Sequence, residues 1–275
     1  MIIFNYHNSN AEYMSIKISQ INQKQNINFR ANAKTYSNIV SKVDSLSNSN
    51  RFKQNYQFVE KILEASQQIV FPQNFTFEKN QFILYKNVFP TSVFKGYEVY
   101  VNNLPLKENQ SMLDMGCGCG VIGITALKKY KLNNVVCADI NGFAVKNTRR
   151  NVHLNNLDNQ VTVVQSNLFS NIDKNQRFDL IFWNPPYFDG EKKNGSILYK
   201  SMYDKDYKNI KKFIIEGQAY LNKNGKIMLG FSSSKFPLEW ASSLIKEIGY
   251  DIEIYHQETD VYGNTQEVLN IIKTI

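Results

Sequence analysis

The chain lacks several features that would place it in common classes of protein. It has 275 residues but only 3 cysteines, at positions 117, 119 and 137, which excludes a disulfide scaffold and indicates a reducing compartment. No apolar run approaches the roughly 18–20 residues that a membrane-spanning helix needs, and the first residues lack the apolar core of a signal peptide. We therefore expect a cytoplasmic protein that does not enter the membrane.

Residues suited to metal binding are also scarce. Cys117 and Cys119 are separated by one residue, and no further cysteine or histidine follows at the spacing of a zinc site. The 3 histidines have no neighbours in the sequence that indicate a catalytic pair. We expect no metal and no histidine-based catalysis.

The composition that remains is that of a folded domain with a basic surface. Apolar residues make up 43% of the chain and aromatic residues 13%, enough for a core and incompatible with a disordered protein. The net charge is +8, of which residues 1–110 carry +5 (12 basic and 7 acidic side chains). The 35 asparagines indicate an AT-rich coding sequence, which also raises the lysine content. A nucleic-acid surface and an ordinary solvated face both remain open.

The pattern along the chain predicts two parts: a small helical domain over residues 1–72 and an α/β domain over residues 73–275. In the first part, helices are predicted at Asn10–Asn26 and Arg51–Val70, separated by a loop at Ser45–Asn50. In the second part, strands are predicted at Met112–Met115, Val135–Asp139, Val161–Asn167, Phe178–Trp183, Lys226–Ser232, Ile252–Gln257 and Val268–Lys273, after a strand or hairpin at Phe75–Tyr85. Helices are predicted at Val121–Lys129, Gly142–Leu154, Tyr207–Leu221 and Pro237–Ile248.

This alternation predicts a Rossmann-like, doubly wound α/β sheet of seven strands. The last two strands have no helix between them, only a turn around Gly263-Asn264, so we expect that pair to be antiparallel.

A glycine-rich turn follows the first strand of this sheet. Residues 114–123 read Asp-Met-Gly-Cys-Gly-Cys-Gly-Val-Ile-Gly, and Asp139 ends the next strand. Glycines let a ligand approach the backbone, the helix start favours polar ligand groups, and an acidic residue about 20 positions on can bind a ribose. These features predict an adenosine-containing cofactor. Asp114 favours S-adenosylmethionine, which is cationic, over a dinucleotide, but the glycine spacing also fits NAD.

A second motif, Asn184-Pro-Pro-Tyr187, ends the strand Phe178–Trp183. The prolines have no N–H, and both Asn184 and Pro185 precede a proline and are kept out of the helical region. The Pro185 carbonyl and the Asn184 side-chain oxygen can then act as two acceptors for a planar –NH2 group, and Tyr187 offers a flat surface for stacking.

The two motifs and Asp139, in this order, resemble the class I S-adenosylmethionine-dependent methyltransferases, over about residues 75–275. Within that class the chain is most similar to the small-domain branch that includes the release-factor glutamine methyltransferases. RNA and DNA amino-methyltransferases share the tetrapeptide. The resemblance implies that the first and fourth strands of the sheet are neighbours, so that both motifs lie at one edge.

The resemblance also implies roles for individual residues. Asn184, Pro185 and Tyr187 would be catalytic, Asp139 would bind the ribose, and Asn167 would stand where the family often has an aspartate facing the adenine. The expected cofactor-binding set is Asp114, Gly116, Cys117, Gly118, Gly120, Asp139, Ile140, Asn167, Leu168 and Asn184. Thr91 and Phe94 belong to a segment that resembles the family's cover over the cofactor.

The methyl acceptor stays open at this point. The closest motif resemblance favours a glutamine side-chain amide of a protein, and the alternatives are an exocyclic base amine of RNA or DNA, a small molecule, or hydride transfer with NAD. Seven lysines between residues 192 and 212 could follow a phosphate backbone or form a solvated face. The oligomeric state is not predicted.

Overall fold

The computed structural model describes residues 51–190, 197–233, 238–259 and 265–274. Its helices are Arg51–Ser66 (α1), Gly96–Asn102 (α2), Val121–Tyr130 (α3), Gly142–Leu154 (α4), Lys208–Gly217 (α5) and Leu238–Lys246 (α6). Its strands are Gln73–Phe77 (β1), Asn80–Leu84 (β2), Ser111–Met115 (β3), Asn134–Asp139 (β4), Val161–Gln165 (β5), Phe178–Trp183 (β6), Leu221–Phe231 (β7), Tyr250–Thr259 (β8) and Thr265–Lys273 (β9). The predicted helix Asn10–Asn26, the loop Ser45–Asn50 and the turn at Gly263-Asn264 lie outside the described residues.

One sheet carries seven of the strands, in the order β5-β4-β3-β6-β7-β9-β8, and β1 pairs only with β2. The strands from β5 to β7 are parallel, whereas β9 pairs antiparallel with both β7 and β8. The α/β sheet with an antiparallel closing pair is therefore confirmed. The two strands that carry the motifs, β3 and β6, are direct neighbours, as the resemblance implied.

Two apolar cores lie on the two faces of this sheet, because successive side chains of a strand point to opposite faces. Met112 of β3 belongs to the core that α2, α3, α4 and the β1-β2 hairpin cover. Leu113 and Met115 belong to the core that α1, α5 and α6 cover. Helices on both faces make the sheet doubly wound.

Helix α1 is part of the second core rather than a separate unit beside it. Leu63 is 1% exposed and lies in the cluster that contains side chains of α5 and α6. The proposed N-terminal domain, residues 1–72, is described only from residue 51 onward, so its boundary stays a prediction. In the ranges that the structure describes, no helix is both long enough and apolar enough to cross a membrane.

Asparagines of α4 cover the free edge of strand β2. Their side-chain oxygens accept backbone N–H groups of β2 and of the residue after it, and their amide nitrogens donate to backbone carbonyls there. The asparagines are four residues apart on the helix, which is about 6 Å, and their partners are two residues apart on the strand, which is about 6.8 Å. Each asparagine therefore lies opposite its own partner. The asparagines are Asn147, Asn151 and Asn155, and the N–H groups that they accept are those of Tyr85, Ile83 and Gln81. We call this set the asparagine ladder.

Some ends of elements differ from the predicted ones, for local reasons. Strand β5 stops at Gln165 instead of Asn167 because residues 166–171 form a compact turn, in which Leu168 has φ 51°. Helix α5 stops at Gly217, and β7 begins at Leu221, where it already pairs with Phe178. The predicted helix to Leu221 and the strand start at Lys226 were therefore wrong.

Candidate active site

The site lies where the parallel neighbours β3 and β6 end. Their last pairs are Asp114 with Phe182 and Met115 with Trp183. The glycine loop, residues 116–120, leaves β3 on one side, and Asn184 follows β6 on the other. Between them opens a cavity of about 840 Å³. Ligands of open α/β sheets bind at such a point.

Three glycines shape the loop, each for a different reason. All three have positive φ: 63° at Gly116, 60° at Gly118 and 81° at Gly120. A Cβ on Gly116 would lie 2.7 Å from Trp183 Nε1, and one on Gly120 would lie 2.7 Å from Thr148 Cγ2. A Cβ on Gly118 would meet nothing within 4 Å and would enter open space. At Gly118, therefore, no side chain stands between the backbone and the cavity.

Asp114 and Asp139 bring two carboxyl groups to the cavity wall. Asp114 is 2% exposed, and its Oδ2 accepts the N–H of Gly123 in the first turn of α3, at 2.9 Å. Asp139 accepts the N–H of Gly118 at 2.9 Å and that of Asn141 at 2.8 Å. Burial raises the pKa of Asp114 to about 7 and that of Asp139 to about 6, although these N–H groups lower both. Asp139 is thus held in place by the backbone of the glycine loop, and Asp114 by the first turn of the helix that follows it.

The remaining predicted cofactor residues have distinct positions. Cys117, Ile140, Asn167 and Leu168 all line the cavity. The contact with Cys137, together with burial, raises the pKa of the Cys117 thiol, which is therefore neutral and packs as a small side chain. Of the predicted set, all of it within the described ranges, Gly120 alone is absent from the cavity wall. A glycine is needed at this position because of the positive φ of the turn and the close approach of Thr148.

The Asn-Pro-Pro-Tyr turn forms the opposite wall. Asn184 and Tyr187 are half-buried, and Pro185 is buried; all of them line the cavity. The Tyr187 hydroxyl lies 2.5 Å from Asn184 Oδ1 and 2.8 Å from the carbonyl oxygen of Gly230. Its ring packs edge-on against Phe231. The sequence predicted an Asn184 oxygen aimed into the cleft, whereas here that oxygen meets the Tyr187 hydroxyl.

Several wall residues were not predicted. Val59 of α1, Tyr100 of α2 and Trp183 of β6 all line the cavity. Trp183 directly precedes Asn184, so its place at a strand end could have been noted from the sequence, but nothing in the sequence indicated Tyr100. Thr91 and Phe94, from the segment expected to cover the cofactor, also line the cavity. No group of three or more side chains suited to a metal ion occurs in the part of the chain that the structure describes.

Comparison with known proteins assigns this arrangement to a family. The family model described as methyltransferase small domain matches residues 79–248. The chain belongs to this family. It is 35% identical to a ribosomal RNA small subunit methyltransferase C of Actinobacillus pleuropneumoniae over 118 residues, which are 43% of this chain and 31% of that protein. The chain thus spans about a third of that relative.

Two further similarities extend the comparison. The chain is 34% identical to a putative protein N5-glutamine methyltransferase of Methanocaldococcus jannaschii over 158 residues, 56% of this chain and 77% of the relative. Among solved structures, a tRNA m1G37 methyltransferase of M. jannaschii superposes with a TM-score of 0.51 at 15% identity, covering 74% of this chain and 57% of that one. That likeness concerns the fold.

Family membership decides between the two cofactors that the glycine loop left open. The chain is a class I S-adenosylmethionine-dependent methyltransferase, and S-adenosylmethionine replaces NAD as the expected cofactor. The described residues fit it. Gly118 leaves open space where a ligand can meet the backbone, and two carboxyl groups face the same cavity, which suits a cationic molecule with ribose hydroxyls.

Proposed function

We propose that this enzyme transfers a methyl group to a planar –NH2 nitrogen, and that the nitrogen is the side-chain amide of a protein glutamine. One observation carries the proposal: Asn184 and Pro185 stand on the wall of the cavity that the glycine loop and Asp139 also line. The M. jannaschii relative of which the chain covers 77% is named as a glutamine methyltransferase, which supports an amide acceptor.

The chemistry asks for hydrogen-bond acceptors rather than for a strong base. The nitrogen of an amide is a poor nucleophile because its lone pair is delocalised into the carbonyl. Bound S-adenosylmethionine supplies an electrophilic methyl group on a sulfonium. Asn184 Oδ1 and the Pro185 carbonyl would accept hydrogen bonds from the two N–H groups of the substrate amide. These bonds would direct the lone pair of its nitrogen toward the methyl group and stabilise the positive charge that develops on that nitrogen.

Tyr187 would add a surface for the flat acceptor group. Its hydroxyl is fixed beside Asn184 and Gly230, so the ring cannot turn freely. A ring held in this way can stack on a planar amide or base and attract its developing charge.

The cofactor roles follow the same geometry. Asp114 and the loop from Gly116 to Gly118 would hold the methionine portion, Asp139 the ribose, and Asn167, which is exposed at the cavity, the adenine amino group. Ile140 and Leu168 would provide apolar contact to the adenine ring. For Gly120 we propose a role in shaping the loop.

A base amine of RNA is the second candidate, and one observation favours it. Four lysines line the cavity and could neutralise phosphates near the acceptor: Lys95, Lys200, Lys205 and Lys208. Glu98 and Glu258 line the same cavity and offset part of that charge, which is why the amide comes first.

The experiment is methyl transfer from tritium-labelled S-adenosylmethionine to the total protein of a cell extract and, separately, to its total RNA. We expect counts that protease removes from the protein sample, and acid hydrolysis of that protein should release labelled methylamine, the product of an N-methylated glutamine amide. Counts that ribonuclease removes would replace the first candidate with the second. Binding of the cofactor without transfer to either sample would contradict both.

A further inference from the structure

Two tyrosine hydroxyls meet behind the Asn-Pro-Pro-Tyr turn. The Tyr187 hydroxyl lies beside Asn184 and Gly230, as described above, and the Tyr100 hydroxyl lies 2.7 Å from Gln266 Oε1 and 3.1 Å from the Phe231 carbonyl. A Cβ on Gly230 would lie 2.8 Å from the Tyr100 ring, so that ring packs beside the residue whose carbonyl meets the Tyr187 hydroxyl. Burial raises the pKa of both phenols well above the ordinary value. Each hydroxyl therefore carries one proton at neutral pH and can donate one hydrogen bond.

The proton of Tyr100 is committed away from the turn. Ser232 Oγ donates to the Thr265 carbonyl at 2.9 Å, so it must accept from Gln266 Nε2 at 3.1 Å. The amide of Gln266 is thereby oriented with Oε1 toward Tyr100. Gln266 Oε1 can only accept, and it takes the one proton of the Tyr100 hydroxyl.

The Tyr187 hydroxyl lies within hydrogen-bond distance of Asn184 Oδ1 and of the Gly230 carbonyl, and the carbonyl has the greater need of its proton. The last pair between β6 and β7 is Trp183 with Leu229. Beyond it β6 continues into Pro185 and Pro186, which have no N–H to offer to the next carbonyl of β7. A backbone carbonyl can only accept, and a buried one without a donor is costly. The Tyr187 hydroxyl supplies the donor that the prolines cannot, to Gly230.

Asn184, in contrast, can satisfy the Tyr187 oxygen in either direction. Rotation of its amide by 180° exchanges Oδ1 for Nδ2 with almost no change of shape. With the tyrosine proton on Gly230, the tyrosine oxygen becomes an acceptor, and Nδ2 is the group that fits it. Oδ1 then faces the cavity, where it meets the N–H of the methyl acceptor; in the other orientation Nδ2 would face that N–H and repel it.

We propose that the Tyr187 hydroxyl, held by the Gly230 carbonyl, is a positioning group that sets the amide of Asn184, so that Nδ2 donates to Tyr187 and Oδ1 accepts from the methyl acceptor. This inference rests on the proposed function, in which Asn184 holds the acceptor nitrogen. It gives the Tyr187 hydroxyl a task that the stacking of its ring does not require. It also explains why a tyrosine of α2 reaches across the sheet edge to this turn.

The kinetic test compares three tyrosine-to-phenylalanine variants in the methyl-transfer assay with total protein or total RNA, whichever the wild type modifies. Tyr187→Phe keeps the ring and should lower kcat about tenfold, the effect of one lost hydrogen bond. Tyr100→Phe should lower it about threefold. Tyr130→Phe is the matched control, because its hydroxyl donates to Val101 away from the cavity, and it should keep the wild-type rate.

Coupling to Asn184 distinguishes positioning from a general structural effect. In an Asn184→Ala background, Tyr187→Phe should cause no further loss, because the group that it orients is gone. The affinity for S-adenosylhomocysteine, measured by calorimetry, should be the same in all variants. A wild-type rate in Tyr187→Phe would overturn the inference, and so would an undiminished tenfold loss in the Asn184→Ala background.

A second measurement does not depend on the acceptor. Neutron diffraction from deuterium-exchanged crystals with S-adenosylhomocysteine should show the Tyr187 deuteron directed at Gly230 and two deuterons on the Asn184 atom that faces Tyr187. Two deuterons on the atom that faces the cavity would overturn the inference. If the wild type transfers no methyl, the proposed function fails, and the nuclear density still decides the orientation of Asn184.

Discussion

Asparagine has two different uses in this molecule, one along helix α4 and the other directly after strand β6. In the asparagine ladder, Asn151 is completely buried, and both ends of its amide bind backbone groups. At the Asn-Pro-Pro-Tyr turn, Asn184 is half-buried, and its amide bridges a tyrosine hydroxyl and an open cavity. The same side chain thus completes a fold where its hydrogen bonds are all internal, and is available to a ligand where part of its amide faces a cavity.

The difference lies in what surrounds the amide rather than in the residue. An amide presents one acceptor and two donors in one plane, which matches the N–H and C=O groups along a strand edge and equally the –NH2 group of an acceptor. At the ladder, strand β2 fills that plane. At the turn, part of that plane faces the open cavity.

The largest expected effect is on activity, at the turn. Asn184→Ala should lower kcat by about 10²–10³-fold, as for the loss of one preorganised polar contact to a transition state. Its free energy of unfolding should fall by about 1 kcal/mol or less, because one hydrogen bond to Tyr187 is lost. Methyl-transfer kinetics and urea unfolding measure the two quantities. Similar losses in kcat and in cofactor affinity would remove the assigned role.

At the ladder we expect the reverse. Asn151→Ala removes three hydrogen bonds and leaves the partly buried Ile83 N–H and the buried Cys119 carbonyl without this partner, so the free energy of unfolding should fall by about 3 kcal/mol. The rate of methyl transfer per folded molecule should stay near that of the wild type. Asn159→Ala, at an exposed position, is the control and should change neither quantity. A variant that is inactive but fully stable would break the contrast between the two regions.

Within the ladder the effect should decrease toward the end of α4. Asn155 is 9% exposed and follows the last residue of the helix, so water can replace part of what it binds. Asn155→Ala should therefore cost about 1.5 kcal/mol, less than Asn151→Ala. Urea unfolding of the two variants side by side tests the order. Equal losses would mean that the ladder acts as a unit rather than residue by residue.

The smallest expected effect is the pH dependence of the free energy of unfolding. It should come from the cavity, where Asp114 and Asp139 titrate, and not from the asparagine ladder, whose amides do not titrate. The pKa of Asp114 is raised from 3.8 to about 7, and that of Asp139 to about 6. Between pH 4 and 7 these two groups bind more protons in the folded protein than in the unfolded chain, so the stability that they contribute is fully present below about pH 4 and is lost as the pH rises toward 7. Between pH 6 and 7, where Asp114 alone still titrates, we expect the free energy of unfolding of the cofactor-free protein to fall by about 1 kcal/mol.

Two variants test which residue causes the change of the free energy of unfolding with pH. Asp114→Asn should flatten it between pH 6 and 7, where only Asp114 still titrates, whereas Asn151→Ala should lower the curve and keep its slope. Urea unfolding at intervals of half a pH unit provides the measurement. A slope unchanged in Asp114→Asn would place its origin outside the cavity.

Much of the fold could be predicted from the sequence, since periodicity and turn residues are local. Helix α4 has the predicted bounds, Gly142–Leu154, and strand β6 has the predicted bounds, Phe178–Trp183. The predicted end of α5 at Leu221 was wrong, and the observed end at Gly217 depends on a neighbour in the folded chain: a Cβ on Gly217 would lie 2.8 Å from Ile227.

The asparagine ladder shows where local inference stops. The spacing of Asn147, Asn151 and Asn155 at four residues is visible in the sequence, yet their partners lie 62–74 residues away. Base composition explained the asparagines equally well until the fold placed β2 beside α4.

By itself the sequence determined the class of the sheet, the glycine loop, and the places of Asp139, Asn184 and Pro185 at strand ends, because each depends on a few adjacent residues and their allowed backbone angles. Only the tertiary structure decided what the Asn184 amide faces. In the proposed arrangement its orientation depends on Tyr187 and on a carbonyl of β7 that the prolines leave without a donor. Beside that carbonyl packs Tyr100, whose partner Gln266 lies 166 residues further along the chain. Such contacts are set by packing across the sheet, which no local pattern records.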